Sequence, residues 1–157
     1  MIAAIGRAVE VGINYFDTAA MYGNGQSETN LGKVLKELNP DVYVGTKIRP
    51  SADDLSDLKG AVVRLVEEGL SRMDREYVDL IQLHNLIATE RTGEGRTLSA
   101  KDVLGEVLEG FQSLQAQGKV RYYGITGLGE TEALHQVMDS SSLFTAQSSY
   151  NLLNPSP

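Results

Sequence analysis

The chain has 157 residues, of which 41% are hydrophobic and 22% are charged, values typical of one globular domain with a sizeable core. Its formal net charge is −7 and its basic residues are not clustered, which argues against nucleic acid or a membrane surface as a partner. The absence of cysteine excludes disulfides and thiolate metal sites and is compatible with a reducing compartment, so we expect a cytoplasmic protein.

The first segment, "MIAAIGRAVEVG", predicts a helix. Its apolar run is interrupted by Arg7 and Glu10, so it does not have the form of a signal peptide. Ile2 and Ile5 share one helical face, and Gly12 is the expected stop. No N-cap residue stands before this helix, so we expect either that a cap has been lost or that the chain starts inside an element.

Four strand–helix units and a last strand are expected to follow. The strands are predicted at residues 13–18, 42–47, 77–84, 120–126 and 144–153. The helices between them are expected after the cap Ser27, around residues 58–73, after the cap Ser99, and at residues 130–139. The long polar stretch 87–101 interrupts this order, and a loop of that length is usually functional or mobile.

Two architectures fit this order, an open doubly wound sheet and part of a (β/α)8 barrel. Several predicted strands are apolar throughout, as in a parallel sheet covered by helices. An open dinucleotide-binding sheet is expected to carry Gly-x-Gly-x-x-Gly after its first strand, but the chain has "DTAAMYGNG" there. "GITGLGE", at residues 124–130, also lacks that spacing, and we interpret it as a turn of close approach.

Polar side chains stand at or near the carboxyl ends of successive predicted strands. They are Asp17, Lys47, His84, Thr126 and Gln147, and Tyr22 lies in the loop just after Asp17. Parallel strands bring these ends to one rim, where barrel and doubly wound enzymes build their sites. Each residue alone has an ordinary explanation, such as a buried ion pair or a packed loop tyrosine. Their shared position at one rim favours a functional site.

The residue types suggest an acid–base role. A free tyrosine has a pKa near ~10, too high for easy proton exchange at neutral pH. A lysine ammonium about 4 Å from the phenol oxygen, at an effective dielectric constant of ~20, contributes about 4 kcal/mol, or roughly three pKa units. Asp17 would keep Lys47 charged, Lys47 would tune Tyr22, and His84 would orient a substrate carbonyl. No side chain supplies hydride, so a nicotinamide cofactor is expected.

Five segments resemble the aldo-keto reductase superfamily. They are "GINYFDTAAMYGNGQSETNLGKVL", "VYVGTK", "VDLIQLHN", "GKVRYYGIT" and "AQSSYNLLNP". The resemblance implies a (β/α)8 barrel and NAD(P)H-dependent carbonyl reduction by a catalytic tetrad, here Asp17, Tyr22, Lys47 and His84. It covers essentially the whole chain, from the first helix to the sixth strand of such a barrel.

The resemblance also implies which side chains meet the nicotinamide carboxamide. These are Thr126, where the family usually has serine, and Gln147. Asp17, a member of the tetrad, is also implied to lie beside the cofactor. Gly127 stands where the family often has asparagine, so one carboxamide contact is missing. NADP(H) is implied in preference to NAD(H).

The expected domain is a single truncated barrel, residues 1–157. A complete barrel has about 250 residues, and five strands would leave two open sheet edges. The segments that contact the adenosine in the family are absent, so the choice between NADP and NAD is not encoded here. The substrate is expected to be a small carbonyl compound or alcohol, and the oligomeric state stays open.

Three other interpretations remain. Lys47 would be a Schiff-base nucleophile if its pKa were depressed, which a neighbouring Asp17 opposes. A non-catalytic, cofactor-binding regulatory subunit is a second alternative, but the potassium-channel β subunits that resemble the family typically lack the tetrad histidine. The third is an inactive barrel fragment. A metal site is not expected from two histidines, of which His135 lies in a predicted surface helix.

Overall fold

The computed structural model describes residues 1–153. Its helices are α1 (Ile2–Glu10), α2 (Gln26–Leu38), α3 (Leu58–Met73), α4 (Ala100–Asp102), α5 (Leu108–Ala116) and α6 (Thr131–Asp139). Its strands are β1 (Tyr15–Asp17), β2 (Tyr43–Ile48), β3 (Val78–Leu83), β4 (Leu86–Ala88), β5 (Thr97–Ser99), β6 (Val120–Thr126) and β7 (Thr145–Gln147). A 3-10 turn lies at Ala52–Asp54, and a π-helical segment, Val103–Val107, joins α4 to α5.

The strands of the main sheet are parallel and are arranged in the same order as in the sequence. Its strand order is β1-β2-β3-β6-β7, and β4 and β5 form a separate two-stranded sheet. Doubly wound sheets reverse their strand order at a switch point, and this sheet has no reversal. The fold is therefore α/β, a curled half-barrel of five parallel strands, as the partial-barrel prediction requires.

The predicted elements are confirmed, but several of their boundaries are wrong. Helix α2 begins at Gln26 after Gly25, whose φ is 81°, so Ser27 lies inside the helix and is not its cap. Ser99 does cap the next helix, and its hydroxyl accepts from the backbone N–H of Asp102. The last strand is three residues long instead of ten because only Thr145–Gln147 pairs with β6.

The hydrophobic core lies between the sheet and its covering helices. Phe111 of α5 stacks on Tyr123 of β6, with ring centroids 5.5 Å apart. Leu58 and Val62 of α3 and Ile81 of β3 are fully buried in the same cluster. Each such side chain contributes about 1.5–3 kcal/mol on burial, so this layer anchors the helices to the strands.

The opposite, inner face of the sheet is open near the amino ends of its strands. Tyr15, Tyr43, Leu80, Tyr122 and Phe144 surround a hollow of about 330 Å³ there. Tyr43 and Tyr122 remain 53% and 52% exposed. The polar residues singled out from the sequence lie at the other end of the strands. Within residues 1–153, no helix has the length and apolarity to cross a membrane.

Candidate active site

An ion pair joins the first two strands at the carboxyl rim. Lys47 of β2 donates from Nζ to Oδ2 of Asp17, the last residue of β1, and to the carbonyl oxygen of Thr18 at 3.0 Å. The Lys47 side chain is 2% exposed and that of Asp17 is 30% exposed. Burial deprives the ammonium group of water, and these two oxygens replace it. The pairing that the sequence predicted is therefore present.

The phenol of Tyr15 also interacts with the carboxylate of Asp17, and the sequence analysis did not predict this contact. The Tyr15 side chain is hydrogen-bonded to Asp17, two residues along β1. Burial, followed by the negative charge of Asp17 and that hydrogen bond, raises the pKa of Tyr15 to about 12. The Tyr15 phenol thus stays protonated at neutral pH, with its O–H directed to Asp17 as a hydrogen-bond donor. The available signal was the i, i+2 spacing, which puts both residues on one face of a strand.

Tyr22 lies beside the ion pair on the loop that leads into α2. Its ring centroid is 5.4 Å from Nζ of Lys47, within the range of a cation–π contact, and its side chain is 44% exposed. Three successive residues with positive φ, Gly23, Asn24 and Gly25, turn this loop. The predicted glycine-rich turn therefore brings Tyr22 to Lys47.

His84 follows β3 and lies near the same lysine. Burial, with the positive charges of Lys47 and Arg49, lowers the pKa of His84 against the opposing charge of Asp17. The imidazole is therefore neutral at neutral pH. A cavity of about 210 Å³ is lined by Lys47, Arg49 and His84, with Ala20, Met21, Ile48 and Leu65. A larger hollow of about 430 Å³ at α1 and α2 contains none of the predicted residues.

Thr126 supports His84 from the next strand. Its Oγ1 lies 3.2 Å from Nδ1 of His84 and 3.2 Å from the carbonyl oxygen of Leu83. A hydroxyl has one hydrogen, so Thr126 can donate to only one of them at a time. When it donates to Nδ1, the proton of the neutral imidazole resides on Nε2. The hydroxyl of Thr126 thus governs which ring nitrogen of His84 carries the proton.

Gln147 lies next to Thr126 but at the exposed edge of the sheet. The two residues are partners in the register of β6 and β7, and Gln147 is exposed while Thr126 is buried. The main-chain oxygen of Gln147 accepts from the N–H of Gly127 at 2.7 Å. A Cβ at Gly127 would approach Cβ of Ser148 to 3.1 Å, so this turn is tight.

A buried acid behind the rim was not predicted as part of the site. Glu28 of α2 is 0% exposed, and its carboxylate accepts from Thr46 Oγ1 and Arg72 Nε, both at 2.6 Å. Thr46 directly precedes Lys47, and Arg72 contacts the position where a Gly25 side chain would lie. Glu28 therefore ties β2, α3 and the start of α2 together behind the Lys47 and Tyr22 side chains.

The long polar stretch after His84 is tied to both neighbouring loops. Nδ2 of Asn85 donates to the carbonyl oxygens of Pro50 at 3.0 Å and Gly95 at 2.8 Å. On the other side, Thr89 donates to Glu130 through its N–H and its hydroxyl. The segment also contains β4 and β5, which sequence reasoning missed. This stretch braces the loops that flank His84.

Comparison with known proteins gives the family of this chain. The sequence model described as the Aldo/keto reductase family matches residues 1–157. The chain belongs to the aldo-keto reductase family. The family resemblance and the half-barrel fold are thereby confirmed, and no group of three or more metal-ligating side chains occurs within the described part, residues 1–153.

Similar proteins include enzymes and a channel subunit. The uncharacterized oxidoreductase YqkF of Bacillus subtilis (strain 168) is 28% identical over 99% of this chain and 49% of its own length. A putative voltage-gated potassium channel subunit beta of Schizosaccharomyces pombe is 31% identical over 94% of this chain and 43% of its own. An aldo-keto reductase from Klebsiella pneumoniae in complex with NADPH superposes with a TM-score of 0.74 at 28% identity, covering 95% of this chain and 47% of that one. The chain spans about half the length of these relatives.

Proposed function

We propose that this chain carries the catalytic residues of an NAD(P)H-dependent oxidoreductase that interconverts a small aldehyde, ketone or sugar carbonyl and its alcohol. The observation that carries the proposal is the contact of Lys47 with both the Asp17 carboxylate and the Tyr22 ring, together with the cavity that Lys47 and His84 line. An ammonium held at a phenol stabilises the phenolate that proton transfer leaves behind. The same arrangement serves alcohol oxidation in reverse.

In this proposal Tyr22 is the proton donor. As a hydride reaches the carbonyl carbon, the electron pair of the C=O bond moves to oxygen, and the phenol proton of Tyr22 passes to that oxygen. Lys47 stabilises the resulting phenolate, and Asp17 holds Lys47 in place. Tyr15 cannot replace Tyr22, because the raised pKa of Tyr15, about 12, makes it a poor donor near neutral pH.

His84 would orient the substrate oxygen. A carbonyl oxygen accepts a hydrogen bond, so a neutral His84 must present Nε2–H to the cavity. Donation from Thr126 to Nδ1 of His84 would favour that tautomer. Thr126 is therefore a positioning residue in this proposal, besides its implied place beside the carboxamide.

The residues present fit a nicotinamide cofactor, which would supply the hydride. Gln147 has an exposed side chain next to the rim that can pair with a carboxamide, and Thr126 is its partner on the neighbouring strand. Gly127 has no side chain to contact the nicotinamide carboxamide, so we expect this chain to bind the carboxamide more weakly than family members that have asparagine at this position. NADP(H) is the expected form because the Klebsiella relative is described with NADPH. We expect the protein to act in the cytoplasm.

The decisive experiment combines cofactor titration with a Tyr22→Phe variant. NADPH and NADH are titrated by fluorescence, and aldehyde reduction is then followed by the loss of cofactor absorbance. Tyr22→Phe should retain cofactor binding and lose about two or more orders of magnitude in turnover. Undiminished reduction by Tyr22→Phe would refute the assignment of the proton donor.

A regulatory role is the second candidate, favoured by the similarity to a putative potassium channel subunit. A regulatory chain would bind the cofactor without rapid turnover. Saturable NADPH binding with no reduction across an aldehyde and ketone panel would support that role. Turnover that depends on Tyr22 would support the reductase.

A further inference from the structure

Arg49 lies at the rim of the cavity but has no role in the chemistry proposed above. It follows β2 directly and stands two residues after Lys47. Its side chain lines the 210 Å³ cavity together with Lys47 and His84, and the residue is exposed. A guanidinium thus stands beside Lys47 and His84, and His84 is the residue that would orient the substrate carbonyl.

The other arginines show what Arg49 lacks. Six of them donate to a carboxylate or a carbonyl oxygen: Arg7, Arg64, Arg72, Arg75, Arg91 and Arg121. Arg49 forms no hydrogen bond or ion pair with any residue between 1 and 153. Its five N–H donors are therefore free to bind a ligand.

The lining of the cavity is positive, although the chain is acidic. Lys47, Arg49 and His84 line it and no carboxylate does, while the whole chain carries −7. Asp17 balances the charge of Lys47, which leaves the charge of Arg49 uncompensated. The lowered pKa of His84, to which Arg49 contributes after burial and Lys47, agrees with a local positive potential.

We propose that Arg49 forms an anion subsite that binds the carboxylate of a small carbonyl substrate. A guanidinium offers a planar fork that matches a carboxylate with two parallel hydrogen bonds. The cavity is smaller than the 300–1,000 Å³ or so that drug-sized ligands occupy, so the substrate is a small oxo- or formyl-carboxylate. This inference rests on the proposed function for the meaning of the bound molecule, but the anion subsite is testable without turnover.

The binding test uses two aldehydes that differ in charge. The probes are 4-formylbenzoate and the uncharged 4-methylbenzaldehyde, titrated into the cofactor-free chain while NMR follows the imidazole signals of His84 and His135. We expect 4-formylbenzoate to shift the His84 signals, to spare those of His135, and to bind at least about tenfold tighter, since a charge-assisted hydrogen bond contributes that much or more. Raising the salt concentration should reduce the difference in affinity between the two aldehydes, because salt screens the attraction between Arg49 and the carboxylate.

Matched arginine variants assign the effect to one side chain. Arg49→Gln should abolish the preference for 4-formylbenzoate at an unchanged melting temperature. Arg96→Gln should retain it, because Arg96 is also exposed but does not line the cavity. The proposed subsite would be overturned if the parent chain bound the two aldehydes equally. It would also be overturned if Arg49→Gln and Arg96→Gln lost the preference for 4-formylbenzoate to the same extent.

Cofactor and rate measurements separate this inference from the proposed function. The dissociation constant for NADPH should be the same for the parent chain and Arg49→Gln, and a selective loss of NADPH binding would overturn the assignment to substrate. With NADPH present, the ratio of kcat/KM for the two aldehydes should fall about tenfold in Arg49→Gln, mostly through KM. If neither aldehyde is reduced but the binding preference depends on Arg49, the reductase proposal fails in this chain and the anion subsite is supported.

Discussion

The ion pair between Asp17 and Lys47 makes a quantitative prediction about stability. Asp17→Asn removes the only carboxylate within ion-pair distance of Lys47 among residues 1–153. Removing one partner of a fully buried pair costs about 3–5 kcal/mol. Water reaches the Asp17 side chain, which is 30% exposed, so we expect the free energy of unfolding to fall by about 2–3 kcal/mol.

Urea unfolding followed by circular dichroism measures that loss. The midpoint should fall at an unchanged m-value. Asp41→Asn is the control, because Asp41 is exposed and has no hydrogen bond or ion pair to another residue in 1–153; its effect should stay within about 0.5 kcal/mol. The double variant Asp17→Asn/Lys47→Met should be more stable than Asp17→Asn alone, because it no longer buries an unpaired ammonium.

The same substitution has a second readout at Tyr15. Without the charge of Asp17, the pKa of Tyr15 should fall from about 12 towards its ordinary value near ~10, but not reach it, because burial is the largest cause of the shift. Ultraviolet titration of Asp17→Asn with and without Tyr15→Phe isolates this phenol. A stability change equal to that of Asp41→Asn, with an unmoved Tyr15 pKa, would refute the argument that this carboxylate organises the rim.

Two further predictions concern Glu28 and His84. Glu28→Gln should lower the free energy of unfolding by about 2–4 kcal/mol, because Arg72 loses a buried charged acceptor. The control is Glu37→Gln, since Glu37 is exposed and lies in the same helix. Equal urea midpoints for the two variants would contradict the role of Glu28. The pKa of His84 is lowered in the folded chain, so the unfolded chain binds more protons and stability should decline as the pH falls below about 6.5. His84→Gln should show a shallower decline between pH 8 and 5 than the parent chain or His135→Gln, and parallel curves would exclude this linkage.

The sequence predicted the rim of the site because the rule behind it is topological. Once strands are parallel, the residues at their carboxyl ends meet, and Asp17, Lys47 and His84 needed no further information. Tyr22 followed from a glycine-rich turn next to one of those ends. These residues were found from their position along the chain, before any contact was known.

The supporting residues could not be found in this way. Glu28 has the pattern of an acidic residue in the first turn of a helix, and only the fold shows that α3 brings Arg72 to it. Asn85 is fully buried and donates to two carbonyl oxygens from different segments, and no sequence pattern indicated those contacts. Both depend on contacts distant in sequence, for which a single chain offers no pattern.

The predicted ends of helices and strands were wrong where backbone conformation or strand pairing determines them. The sequence offered Ser27 as a cap, but the chain uses Gly25 in the left-handed region, which glycine reaches without steric cost. The last strand was predicted too long because apolar and aromatic residues recur among its polar ones up to Leu153, while its partner β6 ends at Thr126. Strand length is set by the neighbouring strand as well as by composition.

Side-chain contacts separate the residues of the proposed chemistry from those of the proposed cofactor contacts. Asp17 ends β1, an edge strand that pairs with β2 along three residues, Lys47 lies on β2, and His84 follows the central strand β3. The pair of Lys47 with Asp17 is further held by Tyr15 and, through Thr46, by Glu28. All of these contacts lie within residues 1–153.

Gln147 lies on β7, at the other edge of the sheet formed by residues 1–153, and β7 pairs along three residues with β6. An edge strand with so few ladder bonds opens at lower free energy than a central strand. Strand β1 is also an edge strand with three pairs, but the ion pair of Asp17 with the buried Lys47 fastens its carboxyl end to β2, so changes near β7 should alter cofactor affinity while that ion pair and the Tyr22 contact persist. The residues proposed for proton transfer are thus held by side-chain contacts to neighbouring strands, and the implied contact of Gln147 with the carboxamide depends on a strand whose side chains form no hydrogen bond or ion pair within residues 1–153.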